Sequence, residues 1–156
     1  MKKKIIIGLA ILFAVISTSA VGIAVGTGAI KKEEKPSDYK IGIPYEKALE
    51  SDKPMVGLMY VDWCGYCLRF MPKFKVMSMK YGSKYNFVMI NAEAPENRQL
   101  IEDVALTGFP TVYVIDPKFD NRFLINNAIY HNAPKFDKEL NRYLKVRELM
   151  IKGSKK

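Results

Sequence analysis

The only two cysteines of this 156-residue chain stand two residues apart, in Trp63-Cys64-Gly65-Tyr66-Cys67. Before them runs Met55-Val56-Gly57-Leu58-Met59-Tyr60-Val61, apolar and partly β-branched, which reads as a buried strand. After them, Cys67, Phe70, Met71, Phe74, Met77, Ser78 and Tyr81 recur at i, i+3, i+4, i+7 spacing, the stripe of an amphipathic helix. A Cys-x-x-Cys pair between a strand end and a helix start puts the first sulfur beside backbone N–H groups that lack a partner inside the helix. Their partial positive charge stabilises a thiolate, the form that attacks disulfides. A loop this short restrains the unfolded chain very little. The pair therefore reads as a redox site, with Cys64 at the helix start as the nucleophile.

Other uses of a cysteine pair fit poorly. Zinc needs about four ligands, and the chain offers a single histidine, His131, and no further cysteine, so no metal site is expected. His131 reads as a surface or turn residue. Haem attachment needs Cys-x-x-Cys-His, and Leu68 follows Cys67. From Lys31 onward the chain carries 22 Lys and Arg against 16 Asp and Glu, a net of +6. These basic residues are scattered, without the basic run interleaved with aromatics that nucleic-acid binding calls for. They read as a solvated basic surface.

Residues 1–30 begin with Lys2, Lys3 and Lys4 and continue through 26 uncharged residues, Ile5 to Ile30. Ile5 to Ile16 suits the apolar core of a signal peptide, and Thr18-Ser19-Ala20 offers small residues for cleavage. The apolar character continues through Val25, so the same run is also long enough for an uncleaved transmembrane anchor. Both readings leave the lysines inside and the rest of the chain outside the cytoplasm. Residues 31–42 open with Lys-Lys-Glu-Glu-Lys-Pro-Ser and are expected to form a charged linker. A domain of about 110 residues, 43–152, then precedes a basic tail at 153–156.

Within that domain, Tyr45 to Ser51 reads as a short helix with Tyr45, Ala48 and Leu49 on one side, and Asp52-Lys53-Pro54 breaks it. The helix after Cys64 is expected to run to Tyr81, kinked by Pro72 and stopped by Gly82. Asn86 to Asn91 reads as a strand. A helix follows Pro95, with Leu100, Ile101, Val104 and Ala105 as its apolar face. Thr111 to Ile115 has the strongest strand propensity, and Phe123 to Tyr130 is expected to return antiparallel to it. A last helix from about Pro134 to Lys152 turns Phe136, Leu140, Tyr143 and Leu144 inward. Strand, helix, strand, helix, strand, strand, helix is an α/β order.

Three features in this order, Trp-Cys-Gly-Tyr-Cys after a strand, Pro72 five residues beyond Cys67, and Gly108-Phe109-Pro110-Thr111 before a later strand, resemble the thioredoxin superfamily over roughly Tyr45 to Lys152. The resemblance implies a thioredoxin-like fold, a central mixed sheet flanked by helices, here behind an N-terminal hydrophobic helix. It implies that Cys67 is the resolving thiol, that the working group is the Cys64–Cys67 disulfide itself without a further cofactor, and that Pro110 is a cis-proline facing it. Trp63, Gly65, Tyr66, Phe109 and Pro110 would then contact the substrate. Thioredoxins that act as general reductants keep a buried acid and a lysine where this chain has Leu58 and Met89; Asp62 or Glu93 could serve through water. The expected function is thiol–disulfide exchange with cysteine-containing exported proteins, recharged by a membrane or soluble redox partner. The alternative is a non-catalytic binding module of an envelope complex.

Overall fold

The computed structural model describes residues 33–104 and 106–154. The expected signal or anchor at 1–30 lies outside them, as do residues 31–32 of the expected linker and the last two residues of the tail. Among the described residues no helix is long and apolar enough to cross a membrane.

Four strands form one sheet in the order β2-β1-β3-β4. β1 (Met55–Tyr60) lies in its interior, parallel to β2 (Asn86–Asn91) and antiparallel to β3 (Thr111–Asp116). β4 (Asn121–Ile125) pairs antiparallel with β3. Every residue of β1 is buried, the reason its sequence is an unbroken apolar run without alternation. Val56, Leu58 and Tyr60 face a core shared with α2 (Gly65–Tyr81) and α5 (Ala133–Gly153). Met55 and Met59 face a second core, closed by Ala48 of α1 (Tyr45–Leu49) and Leu100 of α3 (Arg98–Asp103). Helices thus cover both faces of a mixed sheet, the α/β architecture expected.

The α2 stripe is realised: Cys67, Phe70, Met71, Phe74, Met77 and Tyr81 are buried. Phe136, Leu140 and Tyr143 of α5 meet them across the core. The far end of α5 is tied to the sheet by Arg147, whose Nε lies 2.6 Å from Oδ2 of Asp116, a wholly buried carboxylate at the end of β3. Burial first, then Asp116 nearby, pushes the Tyr143 hydroxyl up to about 12. It therefore stays protonated and donates to Asp116 at 3.3 Å.

Three expectations are corrected. The strand expected over Phe123 to Tyr130 ends at Ile125, because the Asn126 side chain accepts from the Ala128 N–H and starts α4 (Asn127–Tyr130). Leu49 of α1 is 43% exposed, so Ala48 and Tyr45 alone turn inward. Gly82 stops α2 after Tyr81, as expected, and does so in a right-handed conformation. Its lack of a side chain still matters, since a Cβ would come within 2.8 Å of the Ser78 carbonyl oxygen.

The third difference lies in the linker expected at 31–42. Pro36 and Ile41 are buried, and Ile41 belongs to the first core. Beyond Gly42 (φ 78°), the Ile43 N–H donates to the Phe87 carbonyl at 2.9 Å, so the segment edges up to β2. Residues 36–42 are a strap built into the domain. We expect Gly42→Ala to destabilise the fold by more than the about 1–2 kcal/mol of left-handed strain, because its Cβ would sit 1.8 Å from the Phe87 oxygen. Urea unfolding measures this, and equal stability of variant and parent would show that the strap is not held as described.

Candidate redox-active site

Cys64 is the residue that caps α2. Its backbone is extended (φ −84°, ψ 100°), and its carbonyl accepts the Leu68 N–H at 3.1 Å. A helix start usually takes a side-chain oxygen from Ser, Thr, Asp or Asn; here the sulfur does it. Cys64 Sγ accepts the Cys67 N–H at 3.1 Å. The two cysteines are disulfide-bonded, with Cα atoms 5.2 Å apart. Cys64 keeps 7% of its surface and Cys67 none, which separates an outer sulfur from an inner one.

Aromatic residues rim this end of α2. Trp63 is 73% exposed and Tyr66 is 66% exposed. The Trp63 ring meets Phe109 edge-on at 6.2 Å, and the Phe109–Pro110 bond is cis. The loop before β3 is thereby brought to the Cys-x-x-Cys loop. Arg69, one turn on from Tyr66, lies 4.5 Å over its ring. A Cβ on Gly65 would meet nothing within 4 Å, so that flank of Cys64 is open.

Below the sulfurs the environment is apolar. Leu58 and Met89, standing where general reductants carry an acid and a lysine, are register partners on β1 and β2, and both pack into the core that holds Cys67. The two carboxylates expected to serve through water, Asp62 and Glu93, are engaged elsewhere. Asp62 accepts from Ser37 twice, from its N–H at 3.0 Å and its hydroxyl at 2.8 Å, which clips the strap to the loop before Cys64. Glu93 accepts the Trp63 indole N–H at 2.9 Å. Among the described residues no three His, Cys, Asp or Glu gather where they could hold a metal ion.

A groove of about 570 Å³ starts at Tyr66 and runs along Phe109, Pro110, Leu124 and Asn127 to Tyr130 and His131. Sequence reasoning missed its far wall. Tyr130 is buried and donates its hydroxyl to the Pro110 carbonyl at 2.6 Å. Burial raises its pKa, which keeps the donor protonated. His131, expected as an ordinary surface or turn residue, does stand exposed at the end of α4, yet its ring lies 4.6 Å from Tyr130 and 5.5 Å from Phe70. Burial, then the charge of Lys73, lowers its pKa from the ordinary value. Only the Asn126-Asn127 pair, a turn signal inside an otherwise strand-like run, hinted at this wall.

The family model described as Thioredoxin matches residues 40–125, more than half of the chain. A thioredoxin-like chloroplastic protein of Arabidopsis thaliana is 34% identical over 74 residues, 47% of this chain and 28% of that protein. A thiol:disulfide interchange protein of Synechococcus elongatus is 30% identical over 67 residues, 43% of this chain and 35% of its own length. This chain therefore spans about a third or less of the curated relatives it matches. Among solved structures, the fourth thioredoxin domain of ERdj5 superposes with a TM-score of 0.57 at 19% identity, over 69% of this chain and 99% of that one, a likeness of fold.

Two predictions follow from the site's polar contacts. Asp62→Ala should cost about 1.5–3 kcal/mol, as expected for hydrogen bonds to a charged group. Combining it with Ser37→Ala should cost little more; simple additivity of the two in urea unfolding would mean that the clip carries no energy. For His131, the folded state resists protonation more than the unfolded one, whose histidine titrates near 6.5. Its contribution to stability is present above that pH and is lost as pH falls through the lowered folded value. Stability should drop more between pH 7 and 5 in the parent than in His131→Asn, and parallel curves would remove the effect.

Proposed function

This chain belongs to the thioredoxin family, and from that premise we propose that it is a thiol–disulfide oxidoreductase working through Cys64 and Cys67. The observation that carries the reading is the sulfur cap: Cys64 Sγ already accepts a helix N-terminal N–H in the oxidised state. In the reduced state the same N–H faces the Cys64 thiolate.

Acting as a reductant, the Cys64 thiolate attacks one sulfur of a substrate disulfide. A Cys64–substrate disulfide forms, the substrate bond breaks, and the other substrate sulfur leaves as a thiolate. Asp62 and Glu93 are committed to Ser37 and Trp63, so the departing thiolate takes the Cys67 proton, directly or through water. Cys67 then attacks Cys64 Sγ, closes the intramolecular disulfide and expels the second substrate thiolate, which is protonated by solvent. Two electrons pass from the protein dithiol to the substrate disulfide. Run backwards, the same steps oxidise a substrate dithiol.

The substrates we propose are cysteine-containing exported proteins, met on the outer side of a bacterial inner membrane. The support is the apolar stretch Ile5 to Ile30 behind three lysines, which acts as an anchor or as a cleaved signal. A membrane or soluble redox partner restores the working state. Trp63, Tyr66, Phe109 and Pro110 form the surface against which the target cysteine docks.

The test is equilibration with glutathione or dithiothreitol buffers. We expect one reversible two-electron couple that is absent in Cys64→Ser, and a trapped mixed disulfide in Cys67→Ser. A potential near about −270 mV assigns the reducing direction, and one between about −120 and −180 mV the oxidising or isomerising direction. No reversible couple at all would overturn the reading in favour of a binding module.

A further inference from the structure

We infer that Tyr130 is a positioning residue for this exchange reaction, holding the Phe109–Pro110 edge of the groove in register with the helix that carries Cys67. The inference rests on the thiol-exchange reading above. Two contacts converge on the one side chain, and a third extends from them. Its hydroxyl donates to the Pro110 carbonyl at 2.6 Å in a buried setting. Its ring lies 5.1 Å from Phe70, which stands one turn beyond Cys67 on the inner face of α2. Phe70 in turn reaches Phe136 at the start of α5, at 6.5 Å.

Tyr130 therefore joins the loop that faces the dithiol to the helix that carries it and, through Phe70, to the helix that closes the domain. The groove lined by Tyr66, Phe109, Pro110 and Tyr130 begins at Tyr66, the residue that precedes Cys67 in the sequence. A polypeptide that presents a disulfide to Cys64 from this groove lies against the Phe109–Pro110 backbone. The placement of that backbone sets the approach of the substrate sulfur. Without the hydroxyl, the buried Pro110 carbonyl loses a donor, and the loop shifts to find water. A small disulfide needs no groove and is attacked by Cys64 at the exposed flank beside Gly65, where a side chain would meet nothing within 4 Å. The inferred signature is a loss confined to polypeptide substrates.

The experiment compares the full chain with Tyr130→Phe, which keeps the ring and its packing. Turnover of the peptide is measured with dithiothreitol as terminal reductant, and the rate with the small disulfide by mixing it with pre-reduced protein freed of dithiothreitol. One substrate is a peptide bearing a single intramolecular disulfide, and the other is the small aromatic disulfide dithionitrobenzoate. We expect KM for the peptide to rise about 5-fold, the equivalent of one hydrogen bond. Its kcat, the rate with the small disulfide and the Cys64–Cys67 potential should stay at the parent values. An equal loss with both substrates, or a changed potential, would place Tyr130 in the dithiol's own chemistry and overturn the inference. So would an unchanged peptide KM alongside a lowered melting temperature, the mark of a purely structural residue. A parent chain that reduces neither substrate overturns the exchange reading, and the inference with it.

Discussion

The structure depends on how β1 hands over to α2. A strand buried along its whole length ends at Tyr60, and four residues later a helix starts with a sulfur as its cap. Both halves are needed. A strand in the sheet interior fixes where the turn emerges, and the stripe from Cys67 to Tyr81 fixes which way the helix faces. Cys64 is left at the rim and Cys67 inside because they stand on either side of that first turn. The difference in exposure between the sulfurs, which exchange chemistry uses to tell attacker from resolver, is thus a consequence of packing.

The loop so placed is held from three directions by contacts distant in sequence. Ser37 fixes Asp62 from the strap, Glu93 fixes the Trp63 indole, and Phe109 meets the Trp63 ring from the cis-proline loop. None of the three touches the disulfide, yet together they settle where its neighbours point. Hydrogen bonds to a carboxylate and an edge-on aromatic pair contribute modestly one by one. Acting on a single short turn, they restrict it far more than the same contacts spread over the surface.

Elements that follow from local pattern were legible in the sequence: β1 from its apolar run, α2 from its stripe, β3 from Thr-Val-Tyr-Val-Ile, and the last helix from Phe136, Leu140 and Tyr143. The pairing of Trp63 with Phe109 was accessible only through family resemblance. What stayed hidden has a common cause. Ser37–Asp62 joins two polar residues 25 positions apart, and Tyr130–Pro110 joins a hydroxyl to a carbonyl across 20. Such contacts leave no periodicity. The strap was further disguised by composition, since Lys-Lys-Glu-Glu-Lys-Pro-Ser looks solvated until Ile41 is seen in the core. Phe123 to Tyr130 alternates well enough for a strand, and only the cap formed by Asn126 turns it.

The apolar pair Leu58 and Met89 bears on what kind of catalyst such a site can be. Side by side on adjacent strands, they fill the positions where a general reductant holds its acid and lysine. A buried charge there would need a partner to be tolerated, so the loss of one member favours the loss of both. Replacing both by apolar side chains removes that desolvation cost and strengthens the core under the helix. What is given up is a fixed proton acceptor, which speeds the resolving step without itself deciding which way electrons flow. Direction is a matter of potential relative to the partner. A site of this kind therefore depends on its substrate for proton transfer as well as for disulfide, and its rate is governed by how closely the departing sulfur is held. In the exchange proposed here, the loop and groove around Phe109, Pro110 and Tyr130 would hold it.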